Sequence, residues 1–127
     1  MATVVFYESW QMECCGVPFS VGDTVSWSAT TWDDSSSFGA GVAADIQWRE
    51  EHHNEPDDEV WPLAGAVTSI RAIWQRYELS TTQRMMMAPV AGDVAVENRT
   101  TAEGWEGDSH QPDGVHRTFI GYVVTLE

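Results

Sequence analysis

The stretch VVFYESWQMECCGVPFSVGDTVSW, residues 4–27, decides the fold. Val4, Phe6, Trp10 and Met12 fall on one side of an extended chain, with Glu8 out of pattern, because successive strand side chains point to opposite faces. Phe19, Val21, Val25 and Trp27 repeat the pattern, with Asp23 as the exception. Between the two runs, Cys15-Gly-Val-Pro18 cannot continue a helix: proline fixes φ and lacks an N–H, and glycine frees the backbone. Gly22-Asp23 adds a turn or bulge signal inside the second run. Two apolar-faced strands with a punctuated connection predict a hairpin or a barrel corner.

Outward from this stretch the alternation recurs. Val42, Ala44, Ile46 and Trp48 predict a strand that runs into the most acidic segment of the chain, Glu50 to Glu59. From Gly65 to Leu79 the spacing of Val67, Ile70, Ile73, Trp74 and Tyr77 fits a helix, but the residue types favour a strand. The expectation is a long barrel strand bent near Gly65, with a helix packed on the sheet as the alternative. Val94 and Val96 predict a short strand, and His116 to Leu126 a closing one with Ile120, Tyr122, Val124 and Leu126 on one face. Met85 to Met87 read as core filler in preference to an adaptable binding surface. Residues 28–40 and 97–114 read as polar loops. The whole, residues 1–127, is expected to be a single all-β domain. Its expected form is a small SH3-like or OB-like barrel of about six strands with long polar loops and at most one short helix, which removes exposed sheet edges. A small β-sandwich is the alternative.

The segment Trp10 to Asp23, WQMECCGVPFSVGD, resembles a family of small uncharacterised actinobacterial proteins, and the similarity continues through Gly65–Arg71 and Phe119–Val124. The resemblance implies a free-standing domain and an actinobacterial source. It supplies no activity and no catalytic residues.

Hydrophobic residues make up 43% of the 127, with seven Trp, which favours a folded globule over disorder. Twenty acids against six bases give a net charge of −14, and every base is Arg. Nucleic acid backbones and anionic membranes are bound mainly by cations neutralising phosphate, so direct binding to either is disfavoured. No run approaches the roughly 20 apolar residues of a membrane span, and the first residues lack a secretory pattern. The expected compartment is the cytoplasm, where Cys14 and Cys15 are reduced.

Candidate chemistry is sparse. The adjacent pair Cys14-Cys15 has no CxxC spacing and cannot place both thiolates well on one zinc, so the preferred reading is one cysteine in the core and one in the turn. Nucleophilic use of Cys15 would need a base such as His110 or His116. His52-His53 lacks chelating spacing, and neither a metal nor a cofactor is expected. Trp32 and Phe38 stand in a polar loop; they either close over the barrel mouth, the preferred reading, or anchor a partner. With Trp61 and Trp105 they form the candidate binding residues. Three functions remain. The preferred one is a non-catalytic protein-interaction module, of unknown partner, using these Trp-bearing loops. The others are an acidic nucleic-acid mimic that inhibits a DNA- or RNA-binding protein, and a small thiol- or metal-dependent enzyme or ligand carrier.

Overall fold

Pairing in the middle of the chain builds the domain. The computed structural model describes residues 2–32, 45–51, 59–106 and 113–127. The elements are β1 (Thr3–Glu8), α1 (Ser9–Cys15), β2 (Phe19–Ser20), β3 (Thr24–Thr31), β4 (Trp48–Glu50), β5 (Trp61–Leu79), β6 (Met87–Arg99), β7 (Thr101–Ala102) and β8 (Thr118–Leu126). The large sheet has the order β3-β4-β1-β8-β5-β6, and β3 also pairs with β5. Five strands therefore close a ring of hydrogen bonds, β3-β4-β1-β8-β5, and β6 is added outside it. All pairings are antiparallel except β1 with β4. The fold is all-β with one short helix.

Closure gives the two faces of the strands different fates. One face fills the ring: Val5, Tyr7, Ile70, Ala72, Trp74, Tyr122, Val124 and Leu126 form a cluster to which every strand contributes. Each such fully buried apolar side chain stabilises the fold by roughly 1.5–3 kcal/mol before the entropy of ordering is set against it. The opposite face carries a smaller cluster, with Phe6, Ile73 and Val123 packed against Ile46 and the partly buried Trp32, Val94 and Ile120.

Several expectations are corrected by this pairing. The first run is a strand only to Glu8; Ser9–Cys15 is a helix that buries Gln11 and Met12 and leaves Trp10 half-exposed. The glycine and proline after it stop the helix as expected, and the Gly16 N–H bonds back to the Met12 carbonyl at 3.1 Å. Ser28 to Thr31 are strand, not loop, because their backbones pair with Trp48–Glu50 and with the start of β5. The strand expected over 42–48 lies later, at Trp48–Glu50, and residues 42–44 are outside the described residues. Glu97 to Arg99 extend β6 to 13 residues, and Thr101-Ala102 pairs with Phe19-Ser20, so the second polar loop also starts later than expected.

Ile120 does not share a face with Tyr122. The register shifts by one residue between Ile73 and Trp74, which pair with Gly121 and Phe119, so Ile120 is bulged onto the outer cluster. Gly121 permits this: its φ is +152°, and a Cβ there would lie 2.4 Å from the Tyr7 carbonyl oxygen. The ambiguous segment is a strand, longer than expected. Gly65 within it allows a close approach, since a Cβ would meet the Glu127 backbone oxygen at 2.9 Å.

Candidate functional site

The length of β5 creates the most distinctive surface. Its pairing with β8 ends at Gln75–Thr118, but its pairing with β6 continues through Tyr77–Pro89, Glu78–Ala88 and Leu79–Met87. The hairpin thus projects past β8 as an arm. On it Tyr77, Leu79, Met85, Met86 and Met87 are exposed, Met85 at 88%. This overturns the core-filler reading of the three methionines. The β5–β6 register shifts between Gln75 and Tyr77, at the point where β8 begins opposite Gln75.

The arm is built, not frayed. At its root, Gln75 is fully buried, and its amide donates to the Val90 carbonyl at 2.7 Å and the Asp93 carbonyl at 3.1 Å, spanning the bulge in β6. Arg117 reinforces the same place, donating to Asp93 at 2.9 Å and to Asp113 at 2.9 Å. Those bonds, foremost the one from Arg117, hold the Asp113 carboxyl below the usual carboxylate range. At the tip, Ser80 N–H donates to the Met86 carbonyl at 2.7 Å, and the Ser80 hydroxyl accepts from the N–H groups of Thr82 and Gln83. Met85 has φ +65°, the one positive φ outside glycine among the described residues. A side chain in that conformation costs energy, and the tip holds it there with its sulfur in solvent.

The candidate residues from the sequence are distributed. Trp105 is 61% exposed after β7, and Trp61 is 41% exposed at the start of β5, stacked at a tilt on Trp48 with 5.7 Å between ring centroids. Trp32 packs edge-on against Phe6 at 5.5 Å, with the Arg49 guanidinium 5.4 Å from its ring, so it forms part of the outer cluster. Phe38 lies outside the described residues, as do His52, His53, His110 and most of the acidic segment after Glu51. Cys14 is exposed on α1, not a core or turn residue, and the structure places Cys15 at the last position of that helix.

A cleft of about 560 Å³ opens between the connection Gly16–Phe19 and the start of β3. Trp27 and the buried Tyr7 and Glu50 line it. Glu50 was visible in sequence only as a member of an acidic run; its alternation with Trp48 was the signal that it turns inward. Among the described residues no group of three or more His, Cys, Asp or Glu is placed to hold a metal ion, and no helix is long and apolar enough to cross a membrane.

Fold and surface together define a small all-β domain, a closed five-strand ring that carries a projecting apolar hairpin. The chain belongs to DUF6578, a family of unknown function whose model matches residues 1–127. No curated protein and no solved structure matches it.

Proposed function

We propose that this domain is a non-catalytic protein-interaction module. The observation that carries the reading is the arm: five large apolar side chains held in solvent on a hairpin ordered by its own hydrogen bonds. A contiguous exposed apolar surface marks an interaction site, and methionine-rich ones adapt to the partner's shape. Trp61 and Trp105 are secondary anchors in this reading, since exposed tryptophans supply contact area at low entropic cost.

The test is affinity capture with the intact chain beside an L79D/M86D variant and a W61A/W105A variant. The expected result is a stoichiometric protein held by the wild type, lost with the arm variant and weakened with the tryptophan variant. Equal recovery by all three overturns the reading.

A further inference from the structure

The cleft between Gly16–Phe19 and the start of β3 has a wall of packed rings. Trp27 stands nearly perpendicular to Tyr7, at 87° with 5.1 Å between ring centroids, and meets Phe19 at 5.0 Å. Tyr7 and Phe19 are themselves 6.1 Å apart. Those two rings are buried, whereas Trp27 is only partly so, and all three line the cleft. Paired strands hold each of them: Tyr7 opposite Tyr122, Phe19 opposite Ala102 and Trp27 opposite Leu63. The wall is preformed.

The same cleft is acidic. Glu50, 2% exposed, and Asp23 line it, and none of the described residues around it is Arg, Lys or His. Glu50 lies opposite Ala29 across the antiparallel β3–β4 pair, and Trp27 is two residues from Ala29 on the same face of β3. Glu50 and Trp27 are thus diagonal neighbours, about 7–8 Å apart along the backbone, and Ala29 offers no more than a methyl group beside them. The face of an aromatic ring attracts cations, and a carboxylate removed from bulk water attracts them more strongly than one in solution. A hard metal ion such as calcium is a poor match, since it takes about six to eight oxygen ligands. A weakly hydrated organic cation uses the rings and the carboxylate together.

We propose that this cleft binds a substituted ammonium group, with its alkyl groups against Trp27 and its charge facing Glu50. The site is separate from the arm and goes beyond the interaction-module reading. Its volume of about 560 Å³ falls within the ~300–1,000 Å³ of small-molecule sites. The group can be presented by a free small cation or by an alkylated lysine side chain, and the two are distinguished by experiment.

Isothermal titration calorimetry of the intact chain tests this with three probes: choline, the neutral alcohol in which carbon replaces its ammonium nitrogen, and a short peptide carrying trimethyllysine. The expected result is saturable choline binding with a Kd at or below about 1 mM. The neutral alcohol is expected to bind at least ~10-fold more weakly. A peptide tighter than choline assigns the group to a lysine side chain, and the reverse order assigns it to a free cation. Glu50→Gln and Trp27→Leu are each expected to weaken choline at least ~10-fold with an unchanged circular dichroism spectrum. Should either variant lose structure, the Trp27 indole N–H resonance of the wild type is followed instead, and is expected to shift with choline and not with the neutral alcohol. The L79D/M86D variant is expected to bind choline as the wild type does, so failure at the cleft and failure at the arm are read separately. No saturable binding up to about 10 mM, equal affinity for choline and the neutral alcohol, or choline binding indifferent to both folded cleft variants overturns the proposal.

Discussion

The hydroxyl of Tyr122, a residue with no exposed surface, donates to Glu106 Oε2 at 2.7 Å, and the other oxygen of that carboxylate accepts from Arg99 at 2.9 Å. The same hydroxyl accepts from the Gly104 N–H at 3.3 Å. Arg99 in turn lies over Trp74, with 5.4 Å to the ring centroid. Two residues in the middle of β8 and at the end of β6 thereby tie the segment that carries Trp105 onto the barrel.

Tyr122→Phe keeps the ring and removes both bonds. It is expected to destabilise by about 1–3 kcal/mol in urea unfolding, the range for stranding a buried polar partner. Burial first, and then the bond to Glu106, raise the Tyr122 hydroxyl above the ordinary tyrosine value. The folded state holds the proton more tightly, so this contribution is complete below about pH 10 and is lost as pH rises above it. The wild type is expected to lose stability on that alkaline limb more steeply than Tyr122→Phe; parallel limbs would contradict the assignment.

Asp113 gives the opposite sign. Its carboxyl is lowered, chiefly by the hydrogen bonds from Arg117 and then by the Val115 N–H. Its contribution is present above the ordinary value near 3.9 and is lost as pH falls through the lower folded value. Asp113→Asn is expected to flatten the acid limb of the stability profile below about pH 4, measured by thermal midpoint against pH.

Gly121→Ala tests the bulge in β8. The added methyl would meet the Tyr7 carbonyl oxygen at 2.4 Å and the Glu8 Cα at 3.1 Å, both backbone atoms of a paired neighbour. A loss of about 2–4 kcal/mol is expected, with β1 the first strand to lose amide-exchange protection. Gly92→Ala, with φ +76° but no atom within 4 Å of the new methyl, is expected to cost only about 1–2 kcal/mol from strain.

Met85→Gly separates stability from recognition. Glycine adopts φ +65° without the steric cost, so stability is expected to hold or rise by up to about 1 kcal/mol. Partner capture by the arm is expected to fall, because the most exposed thioether is gone. A variant that gains stability and keeps full binding would show that the tip residue itself is not recognised.

Legibility followed the range of the forces. Strand character in residues 65–79 and 118–126 was readable because alternation and residue type are local. The class of fold followed from their number. Helix α1 was misread because Trp10 and Met12 fit a period of two, and the buried Gln11 between them fits only a helix on a sheet. The projecting arm was invisible: Met85 to Met87 look like core until the point where β8 stops is known, and that point is set by a strand some thirty residues later. Neither Arg117–Asp93 nor Tyr122–Glu106 had a sequence signal, because each joins residues 16 to 24 positions apart whose contact exists only once the ring closes.

The place of β8 in the ring has a consequence for synthesis. It lies between β1 and β5, so the earliest strand finds its antiparallel neighbour only in Thr118–Leu126, with Thr3 opposite Leu126. A nascent chain can form the β5–β6 hairpin while still attached to the ribosome, but it cannot seal the barrel until residues 118–126 have been translated and have cleared the exit tunnel. Until then the apolar faces of β1 and β5 have no lining between them, and their exposure lasts until Thr118–Leu126 pairs with both.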